Sequence, residues 1–514
     1  MRFILSISII FYTTHSIAQT ERYASPNGTG NGLSYNNPTD LQTGLNSLQP
    51  GDTLWLLNGQ YDGRYSVSYS GTDKSPITIQ SYPEEWAILN GNVASSANAV
   101  LHVSGAYNIF RDFEITFIGD FERDESEPNF QVVNGVYHLG GYNCKFINLK
   151  IHDNPGSGFG SWKFKGASEM YGNVIYNNGY QGDTRGHGVG FYVQNIGEDI
   201  RLFKNNIVFN NFYKGFELWS AERHPTTDHI KNIDLINNTV FNSGSPALPF
   251  ESKGTDNIFL GSKDSLSINR PKSINIKDNI LYHNTDLTYK GSVGEGNSLR
   301  IGWNLGFTNA YPENIVVHNN LIIGRNNTFI INPTVTLNLT NNIIFGRNIY
   351  VNDDTNLNLV NTSNWTLEGN TYYTRGYPGE GHFSTNFIGN VLFLDWKNLT
   401  GLDGTSDRFS RPTFTNEEIQ ITQNYYDTSL FKIVILNFGG TASSIDFSNY
   451  FTGNTENYNY TVRDVENLDI VHSSGTIDPS TILSVSISLT LSFKNLLIFF
   501  LLQHLKQTII LEYF

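Results

Sequence analysis

One short string returns along the chain: asparagine, three mostly apolar residues, then asparagine or a glycine–arginine pair. It reads "NVIYNN" from Asn173, "NIVFNN" from Asn206, "NTVFNS" from Asn238, "NILYHN" from Asn279, "NLIIGR" from Asn320 and "NIIFGR" from Asn342. A looser copy, "NTYYTR", starts at Asn370, and a weaker forerunner, "INLKIHDN", occupies 147–154. Successive asparagines are 33, 32, 41, 41, 22 and 28 residues apart. A period in this range signals a stack of similar units, each burying its apolar face against the next. The apolar triplets are rich in Ile, Val, Phe and Tyr and are bounded by turn formers, so each copy predicts a short strand.

The spacing narrows the choice among repeat folds. A coil of 22 to 33 residues holds about three short strands with their turns, and a gap of 41 is the same coil with a loop inserted. That is the pattern of a right-handed parallel β-helix, whose coils stack at about 4.8 Å. A propeller repeats every ~40 residues with Trp-Asp or Gly-His marks, and the 22-residue gap is too short for one. The recurrent asparagine has two expected tasks. It tolerates the left-handed backbone of a tight corner, and its amide can bond the asparagine of the next coil in an internal ladder.

The expected organisation is all-β. Residues 1–18 read as a secretory leader, with Arg2, an apolar Phe3–Tyr12 run and a Ser16-Ile17-Ala18 cleavage site, which predicts a secreted protein, extracellular or periplasmic. Residues 19–408 form the β-helix, with a capping helix at about Leu41–Leu48. Well-separated alternating strands at 430–438, 459–467 and 482–491 predict a small antiparallel β-sandwich over 409–492, read as an accessory or capping module. The apolar tail 493–514, with "LLIFFLL" at 496–502, is given no role, and seven residues are too few for a membrane-spanning helix. A single cysteine, Cys144, rules out a disulfide framework. The net charge of −14 argues against nucleic acid and anionic membranes as partners. A monomer is expected.

A β-helix interior is filled, so chemistry belongs on an outward face. If Gly190 and Gly215 begin equivalent strands, Phe191, Val193, Phe216 and Leu218 point inward, while Tyr192, Gln194, Glu217 and Trp219 point outward. Arg300 in "NSLRIGWN" is expected on the same face some coils later, with Arg185 and His187 arriving from the preceding turn. Those side chains suit cleavage of an acidic polysaccharide by β-elimination. His187 or Tyr192 would serve as base, and Arg185, Lys214 or Arg300 would neutralise the uronate carboxylate. Gln194 would contact substrate, and Trp219 and Tyr192 would stack on sugar rings. Glu217 and Glu251 are the carboxylates a hydrolase would need. A turn histidine and a solvated surface acid are the plain alternatives for His187 and Glu217. A carbohydrate-binding protein without activity is the alternative for the whole chain.

The segment "YASPNGTGNGLSYNNPTDLQTGLNSLQPGDTLWLLNGQYDG", 23–63, closely resembles the entry segment of secreted bacterial β-helix proteins of the pectate-lyase-like superfamily. The resemblance extends to about residue 400, where "VLFLDWKNLTGLDGTSDRF" looks like a closing segment. It implies the fold and leaves the activity open among lyases, hydrolases, epimerases and binding proteins. "FESKGTDN", 250–257, resembles the Glu-x-Lys-Ser region of β-helix alginate and chondroitin-type lyases. By that likeness Lys253 would be the catalytic base and Glu251 a ligand of calcium, although Gly254 stands where serine is usual and Arg270 is followed by Pro271.

Overall fold

Each coil lays down three short strands, and equivalent strands of successive coils stack into three sheets of 12 strands. In one coil Arg201–Lys204 joins the first sheet, Ile207–Phe209 the second and Phe216–Ser220 the third. The structure, a computed structural model, describes residues 20–504 apart from 163–165, 221–228, 248–255, 264–268, 284–296, 304–309, 325–326, 353–361, 375–381, 387–388, 412–413, 415–416, 438–445, 447, 451–457, 468–469 and 478–495. The leader at 1–18 lies outside the described residues. Neighbouring strands run parallel in register, as where Ile207, Val208 and Phe209 face Thr239, Val240 and Phe241. The interior is a file of apolar side chains, with Phe191 and Phe216 stacked at 4.8 Å. Cys144 is buried there.

The corner between the first and second sheets explains the recurring string. Asn206 donates its backbone N–H and its side-chain Nδ2 to Asn238 Oδ1, at 3.0 and 2.9 Å. Its second Nδ2 proton goes back to the Met170 carbonyl at 2.9 Å. The same set joins Asn173, Asn206, Asn238, Asn279, Asn320, Asn342 and Asn370 in one ladder. The left-handed backbone, expected of these same asparagines, belongs instead to the residue before each: Asn205, Asn237, Asp278, Asn319 and Asn341, with Gly172 and Gly369 at the ends. The division has a physical reason. The αL residue turns the chain, and the next residue, back in extended backbone, aims its amide inward along the stack. A second, shorter ladder joins Asn154, Asn178 and Asn211 at the next corner.

Both ends of the stack are closed. The helix Leu41–Asn46 is N-capped by Asp40, which accepts from Thr43 N at 3.0 Å, and it buries Leu41 and Leu45 over the first coil. The helix Phe393–Thr400 lays Trp396 flat on Phe383 at 4.4 Å, and the indole N–H donates to Asp403. Covered ends remove the exposed strand edges that invite aggregation.

The C-terminal part is a single antiparallel sheet in the described residues, in the order Glu417–Gln423, Leu430–Asn437, Leu496–His504, Tyr458–Asp464 and Val471–Ile477. The tail that the sequence left without a role therefore supplies the central strand. The expected strand 482–491 lies outside the described residues. The sheet does not stand apart. Val434, Leu436, Phe414 and Val465 pack on outward apolar residues of the helix's second sheet, among them Ile207, Phe209, Phe241, Tyr282 and Ile323. The helix itself is the second layer of the sandwich. Lys432 is buried in that contact, its Nζ donating to the Asn237 carbonyl at 2.6 Å, and burial lowers its pKa to about 7.

Two measurements test this account. Asn238→Ala removes the acceptor of Asn206 and the donor of the Phe203 carbonyl. Three buried groups are left unpaired, the Asn206 N–H, the Asn206 Nδ2 and the Phe203 carbonyl, so the expected cost is about 3–9 kcal/mol at ~1–3 kcal/mol each. Urea unfolding reads this loss. Lys432 holds its proton less readily folded than unfolded, so stability rises with pH between about 7 and the ordinary 10.5. Lys432→Met should therefore stabilise the chain at neutral pH, and its advantage should shrink as pH rises through that window.

Candidate functional site

The third sheet carries the expected alternation. Phe191, Val193, Phe216 and Leu218 are fully buried in the core. In the outward-pointing file Tyr192 stands opposite Glu217, Glu217 opposite Phe259, which is itself buried, and Phe259 opposite Arg300. Arg300 thus shares the file of Tyr192 and Glu217, with Phe259 between it and Glu217.

These outward groups are tied to one another. Lys214 Nζ donates to Glu217 Oε1 at 2.7 Å, with 3% and 14% of the two side chains exposed. The ammonium also lies 3.5 Å from the centroid of Tyr213 and 4.7 Å from that of Phe259. Tyr192 donates its hydroxyl to the Trp219 carbonyl at 3.2 Å. Gln194 Nε2 donates to the same carbonyl at 2.9 Å and to the Tyr192 hydroxyl at 3.3 Å. Gln194 is buried and its amide protons are spent on these bonds, so it positions Tyr192 and Trp219 instead of facing a ligand. Burial raises the Tyr192 phenol well above its ordinary value, so at neutral pH it holds its proton. Arg300 Nε donates to Asp256 Oδ1 at 3.0 Å.

His187 reaches this surface on a small hairpin, Tyr180–Gln181 against Gly186–His187. Its ring stacks on Tyr180 at 5.0 Å, with planes 8° apart. The segment Arg123–Glu125 clasps the hairpin: Gln181 N donates to the Arg123 carbonyl at 2.8 Å, Glu125 N to the Gln181 carbonyl at 3.0 Å, and Asp183 N to Glu125 Oε1 at 2.6 Å. Gly182 sits where both meet, since a Cβ there would come within 2.7 Å of His187 Nε2 and 2.9 Å of Glu125 Oε1. Burial, then the Arg185 guanidinium, hold the imidazole below its ordinary 6.5, with Glu125 and Glu217 pulling the other way. At neutral pH the ring is uncharged, as a base must be. Arg185 lies 4.0 Å from the centroid of Tyr213, the ring that Lys214 also meets. Tyr213 thereby links the hairpin to the Lys214–Glu217 pair.

His187, Arg185, Tyr192, Lys214, Glu217, Trp219 and Arg300 thus come to one face. Glu251 and Lys253 lie outside the described residues. Among the described residues no group of three or more His, Cys, Asp or Glu side chains is placed to hold a metal ion. Also among them, no helix is long and apolar enough to cross a membrane. Sequence reasoning missed Tyr213, Asp256 and Glu125. Tyr213 adjoins Lys214 in "YKGFE", and Glu125 lies in the charged run "FERDESE", but nothing in either string reveals the partner. It also missed Glu114 and His152 on the second sheet, joined at 2.8 Å with Asp153 on the other ring nitrogen at 2.6 Å. Burial opposes protonation, but hydrogen bonds to Asp153 and Glu114 outweigh it and raise the pKa of His152, so both ring nitrogens are engaged by carboxylates.

Residues 22–256 match the family model described as Pel9A-like, right handed beta helix region. This part of the chain is similar to that region, in keeping with the resemblance to the pectate-lyase-like superfamily. A pectate disaccharide-lyase of Dickeya chrysanthemi is 25% identical over 281 residues, which is 52% of this chain and 34% of the relative. The match thus spans about a third of that relative's length. Among solved structures, pectate lyase Pel9A is 17% identical, covering 77% of this chain and 79% of its own, with a TM-score of 0.39. The A-module of the Azotobacter vinelandii mannuronan C-5 epimerase AlgE6 is 13% identical, covering 72% and 92%, with a TM-score of 0.44.

The Lys214–Glu217 pair is buried enough to test. Glu217→Ala leaves an ammonium without its carboxylate and is expected to cost about 3–5 kcal/mol. Replacing both residues by apolar side chains of similar volume should restore most of that loss in the same urea titration.

Proposed function

We propose that this protein cleaves an acidic, uronate-containing polysaccharide by β-elimination. The observation that carries the reading is the placement of the His187 imidazole, stacked on Tyr180 in the hairpin that also carries Arg185, where burial lowers its pKa. His187 takes the proton from the carbon next to the carboxylate. The ring C–O bond to the departing sugar breaks as the carbon–carbon double bond forms. Arg185 faces the carboxylate as charge builds on it, which is where a fixed cation contributes most. Tyr192, which keeps its proton, is the group that returns one to the leaving oxygen. Trp219 is the sugar-stacking surface next to it.

The carboxylates of this face favour the lyase over a hydrolase. Glu217 is committed to Lys214 and Asp256 to Arg300, whereas hydrolysis needs one acid kept protonated and another able to reach water or the sugar. Secretion and a monomeric state belong to the same proposal, the first resting on the leader-like residues 1–18.

The test is a panel of polyuronates and sulfated glycans, assayed with and without calcium for ultraviolet-absorbing products and for new reducing ends. His187→Ala should lower turnover by about 10²-fold or more. Trp219→Ala should raise KM more than it lowers kcat. The acid limb of the rate profile should fall below the ordinary histidine value of 6.5, because protonation of His187 ends its role as base. Reducing ends without absorbance would make the protein a hydrolase. Binding without product would make it a carbohydrate-binding protein.

A further inference from the structure

The outward file of the third sheet does not stop at the proposed reactive groups. On the N-terminal side of Tyr192 the file continues through Gly160 and Tyr137 to His102. Gly160 is the informative member. A Cβ at that position would come within 2.8 Å of Trp162 Nε1. Only a glycine there lets the indole lie down over the sheet. The lowered ring sits 5.3 Å from Tyr137 and 4.8 Å from Tyr192, and its N–H edge is turned away from solvent. Tyr137 in turn stacks on His102 at 5.6 Å, with planes 18° apart. On the other side of the file Trp219 lies 4.8 Å from Trp303. His102, Tyr137, Trp162, Trp219 and Trp303 all keep part of their surface exposed.

This is an unusual use of large side chains on a surface. Aromatic rings of a core pack to exclude water, yet these rings line the outer face coil after coil, half-buried against one another and each keeping some exposed surface. From His102 to Arg300 the file takes six steps, roughly 29 Å at ~4.8 Å per coil. An extended glycan presents one ring face after another at a comparable spacing, and the apolar faces of pyranose rings suit flat aromatic surfaces. The ribbon continues past the reactive groups on both sides, so a bound chain would pass through the site.

We propose that His102, Tyr137 and Trp162 form a glycan-stacking platform on the N-terminal side of the reactive groups, and that the enzyme therefore cuts inside long chains. The inference rests on the reading of that face as a polysaccharide site. It adds where the chain lies and how it is cut.

The test compares wild type, Tyr137→Ala, Tyr137→Phe and His102→Ala on polygalacturonate and alginate and on trimers of the same sugars. Expected are mixed-length early products from the wild type. Tyr137→Ala should raise KM on polymer about 3- to 10-fold, the scale of one aromatic stacking contact. Its kcat, and its KM for trimers, should be unchanged. Tyr137→Phe should behave as wild type, since the ring and not the hydroxyl is the surface. Equal KM for wild type, Tyr137→Ala and His102→Ala on polymer would overturn the platform, and a single short early product would overturn internal cutting. If the wild type cleaves neither polymer, the elimination reading is at fault, and the platform is judged by electrophoresis in gels cast with the same polymers. Retardation of wild type that is lost in Tyr137→Ala would uphold it, and no retardation of wild type would sink it.

Discussion

A buried amide that is satisfied by the same amide one coil on and a backbone carbonyl one coil back fixes the geometry of this molecule. Each ladder asparagine from Asn173 to Asn342 gives two donors to the next coil and one to the coil before, and Asn206 to Asn370 accept in turn. A slip of one residue between coils would strand every one of these groups in an apolar interior, where an unpaired donor or acceptor is costly. Register is therefore set at the corner, not strand by strand. The third sheet inherits it. That is how Tyr192, Glu217, Phe259 and Arg300 fall into one file although up to 42 residues separate neighbours in sequence (Glu217 to Phe259). The long gaps place most of their extra residues between the second-sheet and third-sheet strands of a coil, away from the ladder corner.

The outward residues of each sheet indicate what lies against it. On the second sheet they are Ile207, Phe209, Phe241, Tyr282 and Ile323, an apolar stripe too wide to leave in water. The C-terminal antiparallel sheet covers it. On the first sheet they are mostly polar: Lys145 pairs with Glu169 and donates to the Tyr426 hydroxyl, and Lys231 pairs with Glu198. On the third sheet they are aromatic and charged together, a mixture that neither a core nor a solvated surface selects. Removing the C-terminal sheet would bare the apolar stripe, so that sheet is part of the fold's stability even though its strands lie outside the coils.

What could be read in the sequence was what repeats or alternates locally. The period of the asparagines located the coils, and period-two alternation placed Phe191 inside and Tyr192 outside before any contact was known. The misreadings share a physical cause. The left-handed residue at each corner is the one before the ladder asparagine, and because Asn-Asn pairs are common there, composition alone does not separate the turning residue from the bonding one. Leu496–Leu502 looked like a terminus without a partner because its neighbours in the sheet, 430–437 and 458–464, are distant in sequence and leave no periodic mark. Glu125 escaped notice for the same reason. Its contact with the His187 hairpin crosses 58 residues and depends on a glycine at 182, not on any motif.

The charge balance of the third sheet bears on how an acidic protein would hold an acidic glycan. The chain carries a net −14, so long-range attraction works against a polyanion, and salt screens that repulsion beyond roughly 10 Å. At short range the cations on this face are mostly spoken for: Lys214 by Glu217 and Arg300 by Asp256. Arg185, stacked on Tyr213, is the guanidinium of the group that no carboxylate holds among the described residues. One aimed cation beside a neutral base, with flat rings on either side, places the electrostatics where charge develops and leaves the grip on the rest of the chain to stacking. Such a site would recognise an anionic sugar at one position and be indifferent to charge elsewhere along the face, a pattern that a face lined with free lysines and arginines would not produce.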